Sequence, residues 1–269
     1  MRIINFLIVF LLLTSCDEEK KMIVPITPGN RVVLLEEFTG KGCTNCPKGS
    51  REIENLLTQF PDNLVTVSIH AGFFADPQFF PIGQYDLRTV QGQELYDYLG
   101  PNQGYPAGVV DRTRVGNKLQ IDLNQWASAI NRDLQVDPAV ELVLIHNYDS
   151  LSRTLTLTIN GISNQDIIGE LRLSVMLTES GIVDAQDDFE AGGIVPNYVH
   201  NHVLRDMLTP ATGEAFSNNL TSGQTFTRTY STTLSDQWVA GNMEVVAFVS
   251  VVNGNTFPVL QAVSAHVTN

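Results

Sequence analysis

The chain has 269 residues, 43% of them hydrophobic, with 29 acidic against 16 basic side chains and a formal charge of −13. That length and composition suit one large core or two ordinary ones and exclude a disordered chain. The charge excludes nucleic acid as a partner, because a polyanion would be repelled.

The first elements concern export. The stretch "MRIINFLIVFLLLTSC" places Arg2 before an apolar run from Phe6 to Leu13, with small polar residues before Cys16. The run is too short to span a bilayer. The order Leu13-Thr14-Ser15-Cys16 is similar to a bacterial lipobox. Residues 1–15 therefore read as a lipoprotein signal peptide and Cys16 as the acylated first residue of the mature chain, with a plain secretory signal as the alternative. Acyl chains would make the membrane a partner, each buried methylene contributing about 0.8 kcal/mol. Residues 16–30, containing "DEEKKMIVPITPGN", read as a solvated tether. The acid run after Cys16 also resembles the export signal that sends lipoproteins of the Bacteroidetes to the outer leaflet of the outer membrane.

From Val32 to Phe38 the chain predicts a buried strand, then Cys43-x-x-Cys46, then a helix with Ile53, Leu56, Leu57 and Phe60 at helical spacing. A second strand, Leu64 to His70, follows "PDN" and completes a strand–helix–strand unit with a parallel crossover. Next come a loop, a helix around Glu94 to Leu99 stopped by Gly100-Pro101, and a strand from Ala107 in "GYPAGVV". A closing helix carries Leu123, Trp126, Ile130 and Leu134 on one face, after a cap at Asp122. Residues 31–137 thus read as an α/β domain. From Pro138 the texture changes to alternation, in "AVELVLIHNY", "RTLTLTIN", "ELRLSVMLTES", "QTFTRTYSTTL", "MEVVAFVSVV" and "VLQAVSAHV". Six or seven strands over residues 138–269 predict an all-β antiparallel sandwich, immunoglobulin-like, with neither cysteine nor lysine and with no partner legible in it.

With Cys16 assigned to lipid, Cys43 and Cys46 have only each other to pair with, outside the cytosol where disulfides persist. Three chemistries compete. A zinc half-site lacks two further ligands. A structural staple over so short a loop gains only about 2 kcal/mol. A redox pair is favoured, because a thiol beside a helix N-terminus has its thiolate stabilised by unpaired amides and the helix dipole. No metal or cofactor is called for. His200 and His202, with Asp184, Asp187, Asp188 and Glu190 nearby, lack a full ligand spacing and read as a hydrogen-bonding strand beside an acidic loop.

Strand, CxxC, helix, then "GYPAGVV" and a final helix together resemble the thioredoxin fold. The resemblance implies that Tyr105-Pro106 is cis with Pro106 against the cysteines, that Cys43 attacks a substrate disulfide, and that Cys46 resolves the mixed disulfide. It also implies that Glu37, six residues before Cys43 and followed by Phe38, is a buried acid of raised pKa that accepts the proton of Cys46. Two residues depart from the family pattern: Gly42 stands where an aromatic is usual, and Pro47 after Cys46 places the helix start at Pro47. The lipobox, "EEFTGKGCTNCP", "GYPAGVVDR" and "YVHNHVLRDML" are similar to the twenty-eight-kilodalton outer-membrane-protein-related lipoproteins of the Bacteroidetes. That implies a lipid-anchored outer-membrane protein on the surface or the periplasmic face. The expected function is thiol–disulfide exchange on envelope proteins. The alternative is a non-enzymatic surface lipoprotein for adhesion or ligand binding, its disulfide structural or remnant.

Overall fold

A computed structural model describes residues 31–100 and 104–268. The residues read as signal peptide and tether, 1–30 with Cys16 among them, lie outside the described residues. In chain order the protein forms β1 (Val33–Thr39), α1 (Cys46–Gln59), β2 (Leu64–His70), α2 (Val90–Tyr98), β3 (Ala107–Val110), β4 (Ile121–Asp122) and α3 (Trp126–Asp133). Strands follow: β5 (Val140–Asp149), β6 (Thr154–Ser163), β7 (Ile167–Glu179), β8 (Ile182–Asp188), β9 (Gly193–His200) and β10 (Val203–Met207). The last four are β11 (Glu214–Leu220), β12 (Thr225–Thr233), β13 (Met243–Val252) and β14 (Val259–His266).

Local sequence explains most of these elements. In α1, Ile53 and Leu56 share the buried face with Cys46 and Gly49, and Pro47 sits in the first turn, where its missing amide costs no hydrogen bond. On β6, Leu155, Leu157 and Ile159 point inward while Thr156 and Thr158 do not, the period-two signature of a half-buried strand. All seven residues of β1 are buried, acids included, because both faces of that strand are covered.

The sheets overturn the expected fold class. No separate α/β thioredoxin-like domain stands before a separate antiparallel immunoglobulin-like sandwich. Instead a nine-stranded mixed sheet runs β14-β13-β7-β10-β2-β1-β3-β4, with β11 also on β7. The outer edge of β2 is joined by β10, in parallel, through Val203 opposite Ser68. The amide of Ser68 donates to the carbonyl of His202 beside that contact. Beyond it, the antiparallel β10–β7, β7–β13 and β13–β14 pairs continue the same sheet. The other sheets are β12-β6-β5 and the β8–β9 hairpin.

Three apolar clusters follow from this layout. Leu34, Phe38, Val67 and Ile69 pack in one core with Leu95 of α2 and with Met176, Leu204, Val246 and Phe248. One face of the long sheet is therefore continuous across both halves of the chain. The alternate residues face the other way: Val33 and Leu35 meet Ile53 and Leu56 of α1 and Trp126 and Ile130 of α3. Farther along, Leu173, Val175, Val245 and Ala247 meet Leu155, Leu157 and Ile159 of the three-stranded sheet. No helix among the described residues is long and apolar enough to cross a membrane.

Candidate functional site

β1 delivers the chain to the turn Gly40–Asn45, and α1 begins at Cys46, one residue before the expected start. Cys43 and Cys46 form a disulfide with Cα atoms 5.4 Å apart. It is not accessible: Cys43 is 3% exposed and Cys46 1%. Two structures cover the turn. On one side the amide of Gly42 donates to the carbonyl of Phe74 at 2.9 Å, and the ring of Phe80 lies so close to Gly42 that no Cβ fits there. The aromatic that the thioredoxin resemblance places before the first cysteine is thus replaced by one from a different segment.

On the other side β8 runs along the turn. The amides of Asp187 and Phe189 donate to the carbonyls of Lys41 and Thr44, each at 2.9 Å. The Gln186 Nε2 donates to the carbonyls of Cys43 at 3.0 Å and Gly40 at 3.3 Å. Lys41 is buried and its Nζ lies 2.9 Å from Asp184 Oδ2, while also donating to the carbonyl of Tyr85. Asp184 in turn accepts the amides of Gln84 at 2.7 Å and Tyr85 at 3.0 Å. Burial pushes this carboxyl up, but Lys41 and those amides outweigh it and hold Asp184 below the usual carboxylate range. Lys48 and Arg51 reach Glu190 and Asp188 at the half-exposed rim.

Asp184 is the keystone of this clasp. Asp184→Ala strands a buried ammonium and two amides, so we expect a loss of about 3 kcal/mol in urea unfolding and faster reduction of the disulfide by dithiothreitol. Unchanged stability and reduction rate would show that the clasp holds without it.

Glu37 is fully buried on the α1 side of β1. Ser68 Oγ donates to its Oε2 at 2.9 Å, while Oε1 has no hydrogen-bond partner and lies against Gly49. Burial raises its pKa to about 8, against the lowering effect of the Ser68 hydrogen bond. The Tyr105-Pro106 bond is cis, and the Pro106 ring sits at the same Gly49 position, leaving no room for a side chain there. Glu36, on the opposite face, is equally buried and forms a two-pronged pair with Arg112.

His200 ends β9 while His202 lies in the next turn at φ 56°, so the two do not share a strand face. His200 instead stacks edge-on against His70, with ring centroids 5.5 Å apart. Burial pulls both below the ordinary histidine value, His200 to about 4. Among the described residues no cluster of histidine, cysteine and acid has the makings of a metal site. The segment read as an acidic loop is strand β8, in which Asp184, Gln186 and Asp188 are buried. Its period-two pattern of polar residues was the available signal, concealed because their buried partners lie near residue 41.

Gln84 and Tyr85, whose amides Asp184 holds, also line a neighbouring cleft of about 800 Å³, bounded by Gln84–Asp86, the β7–β8 turn, Arg205 and residues 237–242. Sequence reasoning did not find this cleft, because its walls come from segments far apart in the chain.

Comparison with known proteins places the chain. No curated protein matches it. Among solved structures, an Agrobacterium tumefaciens protein superposes with TM-score 0.51 at 12% identity, covering 88% of this chain and 95% of its own, a likeness of fold alone. A domain of the outer membrane lipoprotein Omp28 from Porphyromonas gingivalis aligns at 18% identity and TM-score 0.32, over 49% of this chain and 90% of its own. The profile of the family described as outer membrane protein Omp28 matches residues 93–269, which includes β8, Arg205 and Pro106 but not Cys43, Cys46 or Glu37. With the greater part of its length matched, the chain belongs to the Omp28 family, whose place is the outer membrane.

Proposed function

We propose that this chain is a non-enzymatic outer-membrane lipoprotein, anchored by acyl chains on Cys16, that presents its folded part for ligand binding or adhesion. The Cys43–Cys46 disulfide is structural in this reading. One observation carries it: the disulfide is sealed beneath Phe80 and strand β8, so a client thiolate has no line of approach. Thiol–disulfide exchange needs that approach. The family match supports the outer-membrane setting and, beginning at residue 93, lends nothing to a redox role for the cysteines.

The test is trapping in growing cells. Under the exchange reading a Cys46→Ser variant leaves Cys43 to hold clients as mixed disulfides. We expect none, with the parent protein fully oxidised. Clients recovered with this variant and absent from Cys43→Ser would replace the proposal by exchange. Removing both thiols as serines should cost only about 2 kcal/mol, the value of so short a closed loop, and leave ligand binding intact. For the anchor, Cys16→Ala should move the protein from the membrane to the soluble envelope fraction.

A further inference from the structure

The cleft of about 800 Å³ beside the clasp falls within the size range of small-ligand sites. Its walls are cross-tied by bonds between distant segments. Asp184 holds the amides of Gln84 and Tyr85, Glu179 Oε1 accepts the amide of Val239 at 2.8 Å, and the amide of Ser180 donates to the carbonyl of Asn242 at 2.9 Å. A cleft built this way exists before its ligand arrives, which reduces the ordering cost of binding.

The chemistry of the lining narrows the ligand. Its charges are already matched: Arg205 lies 3.3 Å from Glu179 with its guanidinium over the Trp238 ring, and Asp86 is held by Arg88 at 2.9 Å. An ionic ligand would find no unmatched charge to meet. Three side-chain amides, Gln84, Gln237 and Asn242, line the cleft without a hydrogen-bond partner among the described residues. An amide offers donor and acceptor together, and a sugar hydroxyl wants both. Beside them Tyr85, Val183 and Val239 are each more than half exposed and supply apolar surface, suited to the C–H face of a pyranose ring.

We propose that this cleft binds a neutral oligosaccharide. The inference rests on the ligand-binding reading and names its ligand class. To test it, the full-length protein is probed on an array of neutral hexose and N-acetylhexosamine oligosaccharides alongside uronate-bearing and sialylated ones, and the strongest neutral probe is taken to calorimetry. The expected result is retention on neutral glycans, weakened about tenfold by Gln237→Ala and by Asn242→Ala with the melting temperature unchanged. Binding to acidic glycans alone, no glycan binding, or neutral binding that both variants leave intact would overturn it. In any of those cases the Cys46→Ser trap decides the wider reading: trapped clients overturn ligand binding as the function as well, whereas their absence removes only the sugar.

Discussion

Arg112→Met is expected to destabilise the protein by about 3–5 kcal/mol, because it leaves the Glu36 carboxylate alone in the core. Both side chains are fully buried, and the guanidinium bonds the two carboxylate oxygens at 2.9 and 2.7 Å. Arg112 also lies 4.8 Å from the centre of the Phe248 ring on β13, so the pair joins β1 to the far half of the sheet. Next to it, Asp111 meets Arg31 at 2.5 Å and accepts the Leu34 amide at 2.8 Å, while its own carbonyl takes the Val259 amide. The Asp-Arg pair in "GVVDR" is therefore a brace between segments. Exchanging both partners, Glu36→Leu with Arg112→Met, should recover most of the loss, since two apolar groups need no partner. Urea unfolding of the two single variants and the double variant measures this. A single-variant cost below about 1 kcal/mol would mean that the pair does not hold the halves together.

The second large effect is on the pH dependence of stability, and it belongs to Glu37. Its pKa is about 8 in the folded protein against an ordinary value of 4.5. The folded state thus holds a proton that the unfolded state has released across that interval. Its contribution is complete below pH 4.5 and is lost as the pH rises through about 8, roughly 5 kcal/mol at 1.36 kcal/mol per unit. The histidines act in the opposite sense. His70 and His200 are neutral in the fold, so their contribution is complete above about 6.5 and is lost on acidification, that of His200 as the pH falls through about 4. Asp111, raised by burial to about 7 against the pull of Arg31, adds to the Glu37 slope chiefly below that pH. Above pH 7 the Glu37 slope outweighs it, and Asp111 is common to parent and variant. There Glu37→Gln, whose amide oxygen still accepts from Ser68, should flatten the fall in stability and leave the variant more stable than the parent at pH 8.5. Parallel curves for the two proteins from pH 7 to 8.5 would show that Glu37 keeps no proton.

Much of the local structure was legible, for physical reasons that also mark where legibility stops. Apolar alternation placed β5, β6, β7, β12, β13 and β14, because each shields at least one set of alternate residues from solvent, partly in β5 and β12 and more fully in β7 and β13. The strands β8, β10 and β11 escaped, since they are short or carry buried polar residues such as Asp184 and Gln186, and of β9 only the end at His200 read as strand. The start of α2 at Val90 escaped too, although Thr89 caps it by accepting the Gly92 amide at 2.8 Å. Sheet order was the deeper loss: a period-two pattern tells which face a residue takes but not which strand lies beside it. The short β2–β10 contact fuses the two halves, and the thioredoxin-like reading of the fold failed at that point. At the site, the burial of Glu37 was anticipated and that of Glu36 was not, because sequence does not reveal that both faces of β1 are covered. Nor does the sequence mark Lys41 as buried, because its partner Asp184 lies 143 residues away.

The central claim is that the Cys43–Cys46 disulfide is a sealed structural element, and the rate of its reduction in the native protein tests this most directly. The full-length protein is exposed to rising dithiothreitol, quenched by alkylation, and weighed. A sealed bond reduces only when β8 lifts from the turn or the protein unfolds, so the rate should level off with thiol concentration at an opening rate that urea increases. A rate that climbs in proportion to dithiothreitol without limit, and that is indifferent to urea below the unfolding transition, would mean that the disulfide is open to attack in the folded state and would contradict the account.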